Sequence, residues 1–451
     1  MKKSKPPGGT TTPPVNPPDP PANFPAYYDH RASHYLLDAT HGWTQLGKED
    51  LMQHLRLAGW NDERRNNTRH LSALDYELIR IQTVNKIDYA GPVAGYRKGL
   101  YSMGGSRVLV TRSFLPITPV EGPFPLIELI INNLLARIDP LQRDIFYSWL
   151  HVYLRCLEVG AFMPGQIIFL IGPHDCGKSF LQQNIITPLF GGRSANPWPY
   201  MSGATEFNSE LFGAEHLQIE DPPVNRISDR LDFSARIKQL TVNEIQPCHG
   251  KNRDIVTIQP HWRVTGSIND EPYNVRAVPP IDDSTADKID IFKCAPNSIP
   301  CTSNLIKERE KFRFAVLAEL PAFTHFLTHT WTIPEPLKSG RFGVTHYHHA
   351  DLLAEINSNS PEFDLLTTID AINMFEKGKG CWVGTVKQLA SLLCNCYDDN
   401  EARRLGQSER SLALKLASLA RKYPQRVHPK RTKTERLWII YKDVQSDPEA
   451  Q

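Results

Sequence analysis

Residues Gln166–Ile186 read QIIFLIGPHDCGKSFLQQNII. The apolar, β-branched opening predicts a buried strand, and the closing FLQQNII predicts a helix. Between them GPHDCGKS, Gly172 to Ser179, completes the pattern G-x-x-x-x-G-K-[ST]. That pattern lets successive backbone N–H groups wrap a phosphate while a helix N-terminus points partial positive charge at it. Gly172 and Gly177 supply turns that a side chain would obstruct. Pro173, His174, Asp175, Cys176 and Phe180 complete the nucleotide cradle, Lys178 is expected to reach the β- and γ-phosphates, and Ser179 to ligate Mg²⁺. ATP and Mg²⁺ are therefore the expected cofactors, and the class is α/β.

Two further strands are expected to end beside this loop. In Glu215–Pro222, EHLQIEDP, Leu217 and Ile219 alternate as in a strand that presents Glu220 and Asp221 at its end. Glu220 is assigned to Mg²⁺ and Asp221 to polarising the attacking water, with the two roles exchangeable. The run WRVTGSI at Trp262–Ile268 leads into Asn269, an amide suited to bonding a γ-phosphate that would repel a carboxylate.

These elements lie within 98 residues, Gly172 to Asn269. The set GPHDCGKS, LQIED, a hairpin between Lys238 and Pro260, and SINDEP resembles the superfamily 3 helicases of viruses, phages and plasmids, in particular the primase-associated type with a poxvirus-like helicase core. The resemblance covers roughly residues 120 to 300. It implies a P-loop AAA+-like core that translocates on single-stranded or forked DNA, as a hexamer of copies of itself, in the replication of a phage or other mobile element. It further implies that the hairpin tip, with His249, Lys251 and Arg253, projects into a central pore against DNA phosphates. Where the family places an arginine finger that reaches a neighbouring subunit's ATP, STADKIDIFKC offers Lys288, and Arg276 lies nearby. A lysine lacks the planar bidentate fork of arginine. No primase or polymerase block precedes the motif set, so a separate primase or polymerase is expected as partner.

From Cys381 onward WVGTVKQLASLLCN, SERSLALKLASLARKYP and RVHPKRTKTERLWIIY predict two helices and a two-stranded wing, a C-terminal winged helix-turn-helix. Leu389, Leu392, Leu393, Leu412, Leu416 and Leu419 are expected on core faces, and Arg426, Lys430, Arg431, Lys433 and Arg436 on the wing. Residues 381–443 hold thirteen Lys and Arg against six Asp and Glu, so a net charge of +2 divides into +7 there and −5 elsewhere.

The remaining segments are expected to flank this machinery. Residues 1–25 carry nine prolines and read as a disordered tail. Residues 26–160 form a mixed, helical region, a possible oligomerisation collar, with Leu46, Leu51, Leu55 and Leu57 at helix-like spacing and two helices over 126–160. The ATPase core takes 161–335, a helical linker 336–380 and the winged helix 381–445. Eight scattered cysteines suggest reduced cytoplasmic thiols, and no window supplies the roughly 18 apolar residues of a membrane span. The histidines of THYHH, Thr345–His349, lack a Cys or carboxylate at ligand spacing. An origin-binding initiator or ATP-gated assembly platform is the alternative reading, and a small-molecule phosphotransferase leaves the basic C-terminal module unexplained.

Overall fold

The computed structural model describes residues 24–39, 42–63, 71–220, 227–251, 253–279, 281–301, 305–358, 361–372, 380–396, 400–432 and 435–441. Asp221, Asn252, Lys433 and most of the proline-rich tail lie outside the described residues.

Strands come first, where a helical segment was expected. β1 (Ala26–Asp29), β2 (His34–Ala39), β3 (Gly42–Leu46) and β4 (Lys86–Ile87) form a sheet in the order β3-β2-β1-β4. Aromatic residues favour this pleated arrangement, with the Tyr28 and Tyr35 rings 4.9 Å apart and Tyr27 edge-on to Trp43 at 5.7 Å. The expected helix begins only at Lys48 and runs to Leu57. Leu51 and Leu55 are buried, whereas Leu46 belongs to β3 and Leu57 is 86% exposed. Next, β5 (Tyr89–Gly91), β6 (Gly99–Met103) and β7 (Ser106–Val110) pair in the order β5-β7-β6. The two expected helices follow, Pro125–Ile131 with a wider turn through Ala136, and Pro140–Val159. Asp139 caps the second by accepting from the Leu141 N–H, and Gly160 ends it at φ +68°.

The central sheet is built from β8 (Ile167–Gly172), β9 (Ser194–Ala195), β10 (His216–Glu220), then, beyond the hairpin of β11 (Gln246–Cys248) and β12 (Val256–Ile258), from β13 (Arg263–Asn269) and β14 (Ile289–Lys293). Its order is β14-β8-β13-β10-β9, and every pairing is parallel. Both faces are covered, as parallel sheets require. Ile167, Phe169 and Ile171 enter one core with Leu217, Ile219 and Val264, while Ile168 and Leu170 face Phe146, Trp149 and Phe292 on the other.

A buried polar ladder fixes the helical stretch 178–189 to this sheet. Gln182 Nε2 donates to Thr265 Oγ1 at 2.8 Å, and His216 pairs its two ring nitrogens with Thr187 Oγ1 and Thr265 Oγ1, each at 2.7 Å.

Near the C-terminus β17 (Cys381–Gly384), β18 (Val427–Arg431) and β19 (Arg436–Tyr441), which follow the short pair β15 (Lys338–Ser339) and β16 (Gly343–Val344), form an antiparallel sheet ordered β17-β19-β18. Helices Val386–Cys394 and Glu409–Lys422 appear as expected, with a further helix, Asn400–Gly406, between them. Thr385 caps the first helix and sets a phase that buries Leu389 and Leu393 but leaves Leu392 40% exposed, contrary to its expected core position. Helix Pro361–Ala371 contributes Leu365, Leu366 and Ile369 to the same core, which therefore begins before Cys381. Among the described residues no helix is long and apolar enough to cross a membrane.

Burial depresses the His216 pKa from 6.5 to about 3 and that of His261 from 6.5 to about 4. Below pH 6.5 the unfolded chain takes up protons at both sites that the folded chain refuses, so this stabilisation is complete above that pH and is lost as pH falls. The buried carboxyl of Asp290, raised from 3.8 to about 8, acts oppositely but is one group against two. The urea midpoint should fall between about pH 6.5 and about pH 5, and His216→Gln should reduce that slope.

Candidate functional site

The loop from Gly172 to Ser179 leaves the C-terminal end of β8, where Gly172 stands opposite Asn269 of β13. A Cβ at Gly172 would meet the Cys294 carbonyl oxygen at 2.6 Å, so the close approach of β14 requires glycine. Gly177, at φ +110°, begins the helical stretch, and a Cβ there would meet Ile299 Cγ1 at 2.6 Å. Asp175 also takes a left-handed conformation, at φ +56°.

Lys178 folds back across this loop and is only 6% exposed. Its Nζ donates to the carbonyl oxygens of Gly172 at 2.7 Å and Pro173 at 2.8 Å, and to Asn269 Oδ1 at 3.1 Å, and lies 3.7 Å from Cys176 Sγ. Lys178 and Asn269, 91 residues apart, are thus brought together. Exposed Ser179 lines the same cavity, of about 840 Å³, with His174, Asp175, Cys176, Gly177 and Phe180. His174 Nε2 is 3.4 Å from Glu271 Oε1.

Glu220 stands at the exposed end of β10, where it accepts from Gln183 Nε2 at 2.5 Å and from Gln218 Nε2. The pairing of β10 with β13 brings it to the loop's end of the sheet, beside the helix rather than on the cavity wall.

Helix Ile306–His325 supplies a wall that sequence reasoning missed, because its charged opening IKEREKFRF carries no motif. Arg309 and Phe312 line the cavity from it, and the Phe312 ring lies 5.6 Å from that of Phe180. Their three-residue spacing, one face of a helix, was the only signal available.

Lys288 is not brought to the loop. It precedes β14 at the end of the sheet away from Gly172, only 8% exposed, with Nζ 2.8 Å from the Ser284 carbonyl and 2.5 Å from Asp287 Oδ1. Asp287 also pairs with Arg341 at 3.0 Å. Arg276 is exposed, just beyond the Pro272–Val275 helix.

In the β11–β12 hairpin, Lys251 and Arg253 are exposed. His249 is anchored, its N–H donating to Asn208 Oδ1 at 2.7 Å and its carbonyl accepting from Asn208 N–H at 3.0 Å. Arg31 Nη1, from the β1–β2 turn, donates to the Ile255 carbonyl at 2.8 Å. Lys430 and Arg431 are exposed on β18. Arg426 instead turns inward, with Nη2 2.9 Å from both Asp370 carboxylate oxygens and Nε 3.0 Å from the Tyr441 carbonyl.

The fold is shared with a solved structure. Over 93% of this chain and 96% of the other, it is similar to the apo structure of the NrS-1 C terminal region (305-718), with a TM-score of 0.52 at 13% identity. A structure titled SCCmec type IV Cch, active helicase, is similar at a TM-score of 0.31 and 10% identity, over 88% of this chain and 69% of that one. A JCV helicase structure follows at 0.24 and 13%, over 50% and 64%. No protein-family model and no curated protein matches the chain.

Arg426→Ala should lower folding stability by about 1–3 kcal/mol, because it strands a half-buried Asp370 carboxylate. Chemical denaturation checks this.

Proposed function

We propose that this chain is an ATP-dependent DNA helicase that translocates on single-stranded or forked DNA during replication of a phage or other mobile genetic element, working as a hexameric ring. The observation that carries the reading is the convergence of Lys178 and Asn269 at the ends of two adjacent parallel strands, on the floor of a cavity of about 840 Å³. Ligands of open α/β sheets bind at the carboxyl ends of the strands.

The residues present fit a nucleotide with a divalent cation. The Gly172 and Gly177 positions leave no room for a Cβ, Lys178 is held by exchangeable neutral acceptors, and Ser179 on the cavity wall offers a hard oxygen donor of the kind Mg²⁺ prefers, with Glu220, beside the wall at the end of β10, assigned to the cation directly or through water. When bound, Mg²⁺ would neutralise charge on the phosphate oxygens. Lys178 binds the phosphates, Asn269 orients the γ-phosphate or the attacking water, and Asp221 takes a proton from that water. Phe180 and Phe312 offer an apolar surface to the base. Lys288, through Asp287, holds exposed Arg341 at the opposite end of the sheet, and we assign the charge directed at a neighbouring copy's nucleotide to this end.

Division into a tail over 1–25, an N-terminal region over 26–160, an ATPase core over 161–335, a linker over 336–380 and a winged helix over 381–445 belongs to the same reading, with the linker's helix Pro361–Ala371 packed into the winged-helix core. His249 positions the hairpin tip while Lys251 and Arg253 meet the DNA backbone. Lys430, Arg431 and Lys433 meet it along the wing, and priming falls to a separate primase or polymerase.

A second reading, an ATP-gated origin-binding initiator with little unwinding, is favoured by Lys288, whose charge is committed to Asp287 of its own chain. Hydrolysis of Mg-ATP with and without single-stranded DNA, alongside fork unwinding, separates the two. The helicase reading expects DNA-stimulated hydrolysis, with Lys178→Ala reducing it at least about a hundredfold and abolishing unwinding. Nucleotide binding with negligible hydrolysis and sequence-specific duplex protection selects the initiator. Replacing Lys430 and Arg431 together by Ala should weaken DNA binding and flatten its dependence on log salt by about 1 to 2.

A further inference from the structure

Two thiols with no part in nucleotide hydrolysis come together at the cavity, and one of them, Cys176, lines it. Cys176 lies within the 172–179 loop, and Cys294 follows β14, held by its N–H to the Ile171 carbonyl at 2.7 Å. Both belong to the same buried cluster, and Cys294 abuts the first residue of the loop, its Cβ 2.7 Å from the place a Cβ on Gly172 would take. Lys178 Nζ is 3.7 Å from Cys176 Sγ, so a cation faces the sulfur that borders the cavity, while Cys294, equally buried, is not part of the cavity wall. A partly activated outer thiol touching a buried partner is the arrangement of an attacking and a resolving cysteine.

We propose that Cys176 and Cys294 are an oxidation-sensitive pair, converted to a disulfide by a peroxide-class oxidant, and that the disulfide closes the cavity to nucleotide. The Cys176 thiolate attacks hydrogen peroxide: an S–O bond forms, the O–O bond breaks, and the departing hydroxide takes a proton to leave as water. The Cys294 sulfur, losing its proton, then attacks the Cys176 sulfur. The S–S bond forms as the S–O bond breaks, and hydroxide with that proton gives a second water. Two thiols and one peroxide thus become one disulfide and two waters, with two electrons passing from sulfur to oxygen.

The two opposite displacements of acidity support this order. The Cys176 thiol is lowered from 9.0 to about 7, first by its hydrogen bond with Cys294 and then by Lys178, whereas burial raises Cys294. An S–S bond of about 2.05 Å draws Cys176 toward β14. The loop that must wrap the phosphates is then tethered beneath them, and Lys178 loses a neighbour it now uses. The consequence for nucleotide rests on the nucleotide-binding reading above; formation of the disulfide does not.

The test uses the full chain, reduced and then treated with hydrogen peroxide. Free thiols are alkylated, the protein is digested without reductant, and linked peptides are mapped by mass spectrometry. In parallel a fluorescent ATP analogue is titrated with Mg²⁺. The expected result is a Cys176–Cys294 link, affinity weakened at least about tenfold, and recovery of both with dithiothreitol. Cys294→Ser, or Cys294→Ala if the first variant does not fold, should bind the analogue like the reduced wild type and show no dithiothreitol-reversible loss. A link from Cys176 to Cys301, no link at all, or a linked protein that binds with undiminished affinity overturns the proposal. Reduced wild type that fails to bind the analogue overturns the nucleotide reading instead, while the peptide map still decides the pair.

Discussion

The parallel pairing of β8 with β13 is the constraint on which the site depends. It sets Gly172 opposite Asn269 and leaves the next residues to turn over the end of the sheet. The loop then has little choice of path, because the Cys294 carbonyl of the neighbouring strand end occupies the volume a Cβ would need. A buried ammonium is costly to desolvate unless hydrogen-bonded, and Lys178 meets that cost with two loop carbonyls and the Asn269 amide. These acceptors are neutral, so the ammonium is hydrogen-bonded but its charge is not cancelled by a partner of opposite sign.

The ladder of Gln182, Thr187, His216 and Thr265 extends this constraint into the helix that follows. Apolar packing alone would allow a helix to slide on a sheet, whereas buried hydrogen bonds fix its register. Gln183, one residue after Gln182, is thereby directed at Glu220, and the carboxylate is held where the strand ends.

Elements that follow local rules were legible in the sequence. The strand, loop and helix around Lys178 and the strands ending at Glu220 and Asn269 show period, turn chemistry or motif at close range, whereas the hairpin expected between Lys238 and Pro260 is confined to Gln246–Ile258, because Lys238 belongs to the helix Ile227–Val242. What escaped depends on distant partners. Arg309 and Phe312 reach the cavity only because their helix packs against the helical stretch that follows the loop, and Arg426 reads as one more basic residue until Asp370 is seen beside it. Leu392 fails for a smaller reason: one residue of helical phase separates it from Leu393. The strands at Ala26–Leu46 were hidden by leucine spacing that crosses an element boundary.

The contact between Arg31 and the Ile255 carbonyl joins the hairpin to a sheet at the far end of the chain. A neutral-acceptor hydrogen bond at an exposed site is worth on the order of 1 kcal/mol net, only about twice thermal energy. It supplements the buried anchors of the hairpin strands, Cys248, Val256 and Ile258, which belong to the core on one face of the central sheet. The hairpin is thus held from within by its strands and braced from outside by the turn of the first sheet.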